Sequence, residues 1–185
     1  MEYTTARQIV HKFVTDHVGD AYQLLHAEMV ETAMQGIAKY LGEDEAIFGL
    51  TGLIHDWDYY KWPETHPGQY ENLLNNPDLQ TIAIDWALVI EAIKGHGDLS
   101  YAHDSKLSQA LLACDEFSGL LYAYCKMVGK YGDMKVSSII KKLHKELNFA
   151  AKANRADMLT GIELLGIPEE VFIERVKAAL AAKYD

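Results

Sequence analysis

Apolar residues recur along most of the chain at spacings of three and four, the period of an α-helix with one buried face. Ile9, Val10, Phe13 and Val14 set the first such run and predict a helix over about 4–17, with Thr4 or Thr5 as its cap. Gly19 and Asp20 interrupt the pattern, and Asp20 is placed to cap a second helix over about 21–41 that stops at Gly42. Tyr22, Met29, Ala33, Ile37 and Tyr40 form the inward stripe of that helix, and His26 sits within the stripe. Ala46, Leu50, Leu53, Ile54 and Trp57 predict a third helix over about 44–57.

From Asp58 to Pro67 the periodicity stops. Pro63 and Pro67 do not fit a helix interior, and each biases the residue before it towards extended backbone. A short helix over about 68–75 and a turn at Asn75–Asp78 are expected next, then a helix over about 78–95 with Ile82, Trp86, Val89, Ile90 and Ile93 facing inward. It runs into Lys94-Gly95-His96-Gly97-Asp98, where the flanking glycines mark His96 as a loop-displayed residue. The apolar run from Leu107 to Tyr124 predicts a long helix over about 106–129. Three shorter runs follow Gly132, the last of them starting at Pro168. No alternating strand pattern competes with these helices, so the expected fold class is all-α. One helical-bundle domain is expected across 1–185, its core over about 20–130 and its C-terminal helices, about 133–185, packed on that core.

Composition excludes some partners. Seventeen Lys and Arg against twenty-seven Asp and Glu leave a net charge of −10. That balance argues against a nucleic-acid polymer and against an anionic membrane, both of which select basic surface. No window approaches the ~18 unbroken apolar residues of a membrane span, and MEYTTARQIV has no basic stretch leading into an apolar run. Cys114 and Cys125 fall in one predicted helix, roughly 16 Å apart and out of disulfide reach. A cytoplasmic protein with free thiols is the expectation; the oligomeric state is not legible.

The candidate chemistry begins at His55-Asp56, a polar pair set against the end of an apolar run in LIHDWDYYKWPETHP. Thr51 and Gly52, one turn back, are small; they leave room for an ion or substrate, and equally permit close helix–helix contact. The pair alone is weak, since chance supplies about half an occurrence, and a second, His103-Asp104, falls in the irregular loop 97–105, where a surface position is expected. What gives His55-Asp56 weight is His26 and Asp115 on separate predicted helices, each bordering an apolar face. A carboxylate such as Asp115, beside Leu111 and Leu112, is costly to bury without a cation or hydrogen-bond donors. Four inward ligands from three helices can close around one ion.

In this pattern of His, then His-Asp, then a distant Asp, the sequence resembles the HD-domain superfamily of metal-dependent phosphohydrolases. The likeness is nearest to small stand-alone bacterial HD proteins, through DYYKWPETH after the pair and ACDEFSGL around Asp115, and extends over most of the chain. The resemblance implies His26, His55, Asp56 and Asp115 as ligands of a divalent ion. Two imidazoles and two carboxylates suit Mn, Fe, Co, Ni or Zn, with Mg less favoured by nitrogen. A small phosphate ester or nucleotide is then the expected substrate, cleaved as a phosphomonoester or phosphodiester by metal-activated water. Asp58 is the candidate to orient that water or act as acid–base and Lys61 to neutralise phosphate charge, although HD proteins using such a lysine tend to have it nearer the pair. His66 and His96 are candidates to contact substrate or hold a second ion, and Tyr59, Tyr60 and Trp62 to stack on a base. Two other readings stay open: an HD bundle that binds a metal or ligand without catalysis, and a purely structural helical domain in which His26 and Asp115 are satisfied within the core.

Overall fold

The computed structural model describes residues 1–185. The chain is all-α: α1 (Tyr3–Thr15), α2 (Ala21–Leu41), α3 (Glu45–Ile54), α4 (Tyr70–Leu74), α5 (Trp86–Gly95), α6 (Lys106–Val128), α7 (Val136–His144), α8 (Arg155–Leu165) and α9 (Glu169–Tyr184). Side chains define many of the starts. Asp20, Asp44, Asp85, Ser105 and Asn154 each accept first-turn backbone N–H groups that no intrahelical carbonyl reaches. α2 ends at Gly42 in the left-handed region (φ 74°), which glycine enters without a Cβ clash.

The long helices α2 and α6 form the centre. α3 lies along one side of α2 and α9 along another, while α5 and α8 pack against α6. One apolar cluster of 43 buried residues extends from Ala6 to Leu180, so α1 and the C-terminal helices share the core with the segments between them. The contact of α3 with α2 fixes the position of His55. A Cβ on Gly52 would lie 2.8 Å from the backbone nitrogen of Glu31 and 2.9 Å from the carbonyl of Val30. Gly52 therefore brings two helix backbones together, and the smallness at this position serves packing.

The structure departs from the sequence pattern in several places. The helix expected over 78–95 is a single 3-10 turn, Leu79–Thr81, followed by extended backbone at Ile82 and a fresh start at Trp86. Asp85 is the reason, its carboxylate accepting from Ala87 N and Leu88 N, both at 3.1 Å. α3 stops at Ile54, and i→i+3 bonds from Trp57 N to Ile54 O (3.2 Å) and from Tyr59 N to Asp56 O (3.1 Å) carry the chain onward in tighter turns. Tyr22 and Tyr40, placed on the inward stripe of α2, are 47% and 43% exposed, because they stand at its margins while Met29, Ala33 and Ile37 fill its middle. His96 is buried beneath α5, where its ring pairs with the carbonyl of Ile93 (2.5 Å). His103 is buried too, held by Ser108 Oγ at 2.9 Å and the Asp98 carbonyl at 3.1 Å, and only Asp104 of that second pair faces solvent.

Candidate metal centre

Two helices and the turn closing a third bring four polar side chains to a point against the apolar interior. His26 comes from the second turn of α2, His55 and Asp56 from the turn closing α3, and Asp115 from the middle of α6. One ligand atom from each lies within 4.8 Å of the others. His26 Nε2 is 2.9 Å from Asp115 Oδ1, and His55 Nε2 is 3.3 Å from the same oxygen and 3.5 Å from Asp56 Oδ2. His55 is wholly buried, and its Nε2 has no hydrogen-bond partner. A buried polar atom without a partner carries a desolvation penalty of about 1–3 kcal/mol, which a cation at that point would remove.

A second group shares Asp56. His66 Nε2 and His96 Nε2 lie 3.2 Å and 3.1 Å from Asp56 Oδ1, so the two oxygens of this one carboxylate face the two groups separately. Three of the histidines have the same support. Nδ1 of His55 meets the carbonyl of Gly52 (2.8 Å), Nδ1 of His96 meets that of Ile93 (2.5 Å), and Nδ1 of His66 meets Asp58 Oδ1 (2.6 Å). Only a protonated Nδ1 satisfies those acceptors, so each ring, when neutral, presents an Nε2 lone pair to the cluster. His66 Nε2 and His96 Nε2 then face each other at 3.1 Å, with a carboxylate oxygen beside both. Two lone pairs at that distance repel unless a proton or a cation lies between them. Outer contacts of this type fix tautomer and ring direction in metal sites.

The same crowding governs the charges. Burial works to lower the His55 pKa, but the Asp56 and Asp115 carboxylates outweigh it and raise it well above the ordinary value. His66 is pushed up to about 9 as Asp56 and Asp58 overcome the effect of burial. In the opposite sense, burial would raise Asp56 and Asp115. His55, with His66 and His96, holds Asp56 well below the usual carboxylate range, and His55 with His26 holds Asp115 there. These carboxylates thus stay ionised and draw positive charge inward. The nitrogen and oxygen donors, their spacing and the unpartnered Nε2 all fit a divalent transition ion.

The cluster forms the floor of a cavity of about 1010 Å³. That is at the upper end of small-molecule sites, which run to about 1,000 Å³. Val14, Val18, Trp57 and Tyr59 line one side of it and Gly119, Ala123 and Ala150–Ala153 another, with Tyr22, Gln23, Lys94, Glu116 and Lys152 among the polar lining residues. No Ser, Thr or Cys lines it. Cys114, next to Asp115, is fully buried, and burial raises its thiol pKa far above the reactive range.

Several sequence expectations change here. Asp58 has no exposed surface and is committed to His66 Nδ1 and the backbone N–H of Gln69 (3.1 Å), so it orients a ligand-type histidine and does not reach a water in the cavity. Lys61 is exposed and donates to the Asp16 carbonyl (2.9 Å), outside the cavity lining, because the turns after Asp56 carry it towards the end of α1. His66 and His96 enter the cluster as ligand-type groups. Of the aromatic candidates only Tyr59 faces the cavity, with its ring edge-on to His66 at 5.2 Å; Trp62 packs near Trp57 and His17, and Tyr60 lies over Gly19. Lys94 and Lys152 were not anticipated. Lys94 carried a faint signal, two residues before His96, whereas Lys152 carried none, since its place depends on how the 145–153 segment returns to α6.

Comparison with protein-family models, with curated proteins and with solved structures finds no match to this chain.

Proposed function

We propose that the chain is a divalent-metal-dependent phosphohydrolase of the HD-domain kind, acting on a small phosphate ester or nucleotide through water. The observation that carries this reading is the convergence on Asp56. Its Oδ2 faces the His26, His55 and Asp115 group, its Oδ1 faces His66 and His96, and the facing Nε2 atoms of the latter pair need a proton or a cation between them. A bound divalent ion would supply a water of lowered pKa and a Lewis-acid contact for a phosphoryl oxygen. The chain's own residues do the rest. His26, His55, Asp56 and Asp115 would hold one ion, and Asp56 with His66 and His96 a second. Asp58 fixes the ring of His66, and the Gly52 and Ile93 carbonyls fix those of His55 and His96. No Ser, Thr or Cys side chain lines the cavity, which favours water over a covalent nucleophile of that kind. Phosphoryl transfer needs mainly positioning and charge stabilisation, which such a floor offers.

The test pairs elemental analysis of the purified protein with turnover of phosphomonoesters, phosphodiesters and nucleotides under added Mn, Co or Ni. Metal retention with turnover is expected, and Asp56→Ala is expected to lose both while keeping its helical circular dichroism. Turnover and metal content unchanged in Asp56→Ala would sink the proposal. Metal and ligand binding without turnover anywhere in the panel would favour a non-catalytic binding module.

A further inference from the structure

A phosphate group that meets the cluster floor brings at least one negative charge, and Lys61, the lysine nearest in sequence, is tied to α1. Two other lysines line the cavity, one carried by the helix that leads into His96 and one by the turn that leads into α8. Lys94 is on the last turn of α5, two residues before His96, with its ammonium 4.1 Å over the ring of Tyr70. Lys152 is on the turn preceding α8, and the neighbouring backbone of Asn154 lies beside Glu116, which adjoins Asp115. Neither lysine has a carboxylate within 4.0 Å, in a chain whose acidic residues outnumber its basic ones.

The turn that carries Lys152 is built, not slack. Arg155 donates to the carbonyls of Lys142 (3.4 Å), Ala150 (3.2 Å), Ala153 (3.1 Å) and Phe149. Beneath it the Lys142 ammonium lies between the rings of Tyr124 (4.5 Å) and Phe149 (4.3 Å) and pairs with Glu146 at 2.9 Å. A guanidinium satisfied by four main-chain carbonyls holds a turn in one shape, so the backbone that presents Lys152 is already ordered in the free protein.

Resting on the reading under Proposed function, we propose that Lys94 and Lys152 are the anion-binding residues of this site, holding the substrate's phosphate at the metal cluster, with Arg155 as the positioning residue for Lys152. The lysines add the positive charge a phosphate needs, because the Asp56 and Asp115 carboxylates offset that of a divalent ion they hold. The cavity selects phosphate-bearing substrates through these two ammonium groups, and its apolar walls take the organic part.

The probe is inorganic phosphate, titrated calorimetrically into manganese-loaded protein. Lys94→Ala and Lys152→Ala are each expected to weaken phosphate binding about tenfold, the scale of one charge-assisted hydrogen bond, with bound manganese per chain unchanged. Lys152→Arg is expected to restore most of the loss. Arg155→Ala should weaken phosphate binding as Lys152→Ala does and add nothing to it in the double variant, a non-additivity that a purely structural role would not produce. Phosphate affinity within twofold of wild type in both alanine variants, or wild-type protein that takes up manganese but not phosphate, overturns the inference and leaves the metal centre standing. Wild-type protein that takes up no manganese overturns the metal centre and this inference together.

Discussion

The two ligand groups that meet at Asp56 stand on different supports. His26 and Asp115 project from the interiors of α2 and α6, and His55 follows directly on α3, which Gly52 presses against the α2 backbone. Their relative positions are set by helix packing, and packed helices have little freedom to shift. His66 sits in the irregular segment 55–69 and His96 just past the end of α5. Outside the cluster those two are each held by one hydrogen bond, to Asp58 and to the Ile93 carbonyl. The helical group is therefore preorganised by the core, and the loop group by its outer contacts. A tight site and an exchangeable site are the expected result, with Asp56 common to both.

The largest effect should come from removing one ligand on each side. Manganese titration of metal-free wild-type protein is expected to show two steps of different affinity. His26→Ala should abolish the tighter step and His66→Ala the weaker, each by more than about 100-fold, since even outer-contact losses cost 10–100-fold. Loss of both steps in His66→Ala would mean that the loop group organises the helical one, and the contrast would fail. The outer contact itself is tested by Asp58→Asn. It keeps the shape but removes the charge that holds His66 Nδ1–H, and about 10–100-fold is expected from the weaker step alone.

Gly52→Ala acts on the other support. The added methyl would have to displace backbone at 2.8–2.9 Å, and overpacking of this sort costs about 1–3 kcal/mol. Urea denaturation should show that loss, and the tighter manganese step should weaken while the weaker one holds. An unchanged denaturation midpoint would show that α3 has room to yield against α2.

Helix-supported features were legible in the sequence, and contact-supported ones were not. Periodicity marked α2 and α6, and with them His26 and Asp115, because burial of one face writes a regular apolar stripe into a helix. The Asp85 cap was also there to be seen, but the stripe from Ile82 to Ile93 suggested one uninterrupted helix. His103 was expected on the surface because its loop has no period. Its burial follows from Ser108 and the Asp98 carbonyl, partners that a sequence pattern does not reveal. The role of Asp58 was equally hidden. The chain bends between it and His66 so that a residue eight positions away becomes its partner. The alanine-rich turn that brings Lys152 to the cavity is fixed by the bonds of Arg155 to four main-chain carbonyls, a kind of contact to which side-chain identity gives no clue.

The smallest expected effect belongs to Lys61, and it decides how far the loop group depends on the rest of its segment. The ammonium donates to the Asp16 carbonyl at the end of α1 and contributes nothing to the cavity lining. An exposed hydrogen bond of this type adds at most about 1 kcal/mol, and the ring of His66 is held by Asp58 independently of it. Lys61→Ala should therefore leave turnover, phosphate affinity and both manganese steps within about twofold of wild type, with a stability loss below about 1 kcal/mol. A tenfold loss of phosphate affinity would return Lys61 to the site and require the 58–67 segment to fold over the cavity when substrate binds. A selective loss of the weaker manganese step would instead mean that the Asp16 contact helps position His66. In that case the loop group would rest on α1 as well as on Asp58, and its support would be closer to that of the helical group than the hydrogen bonds alone imply.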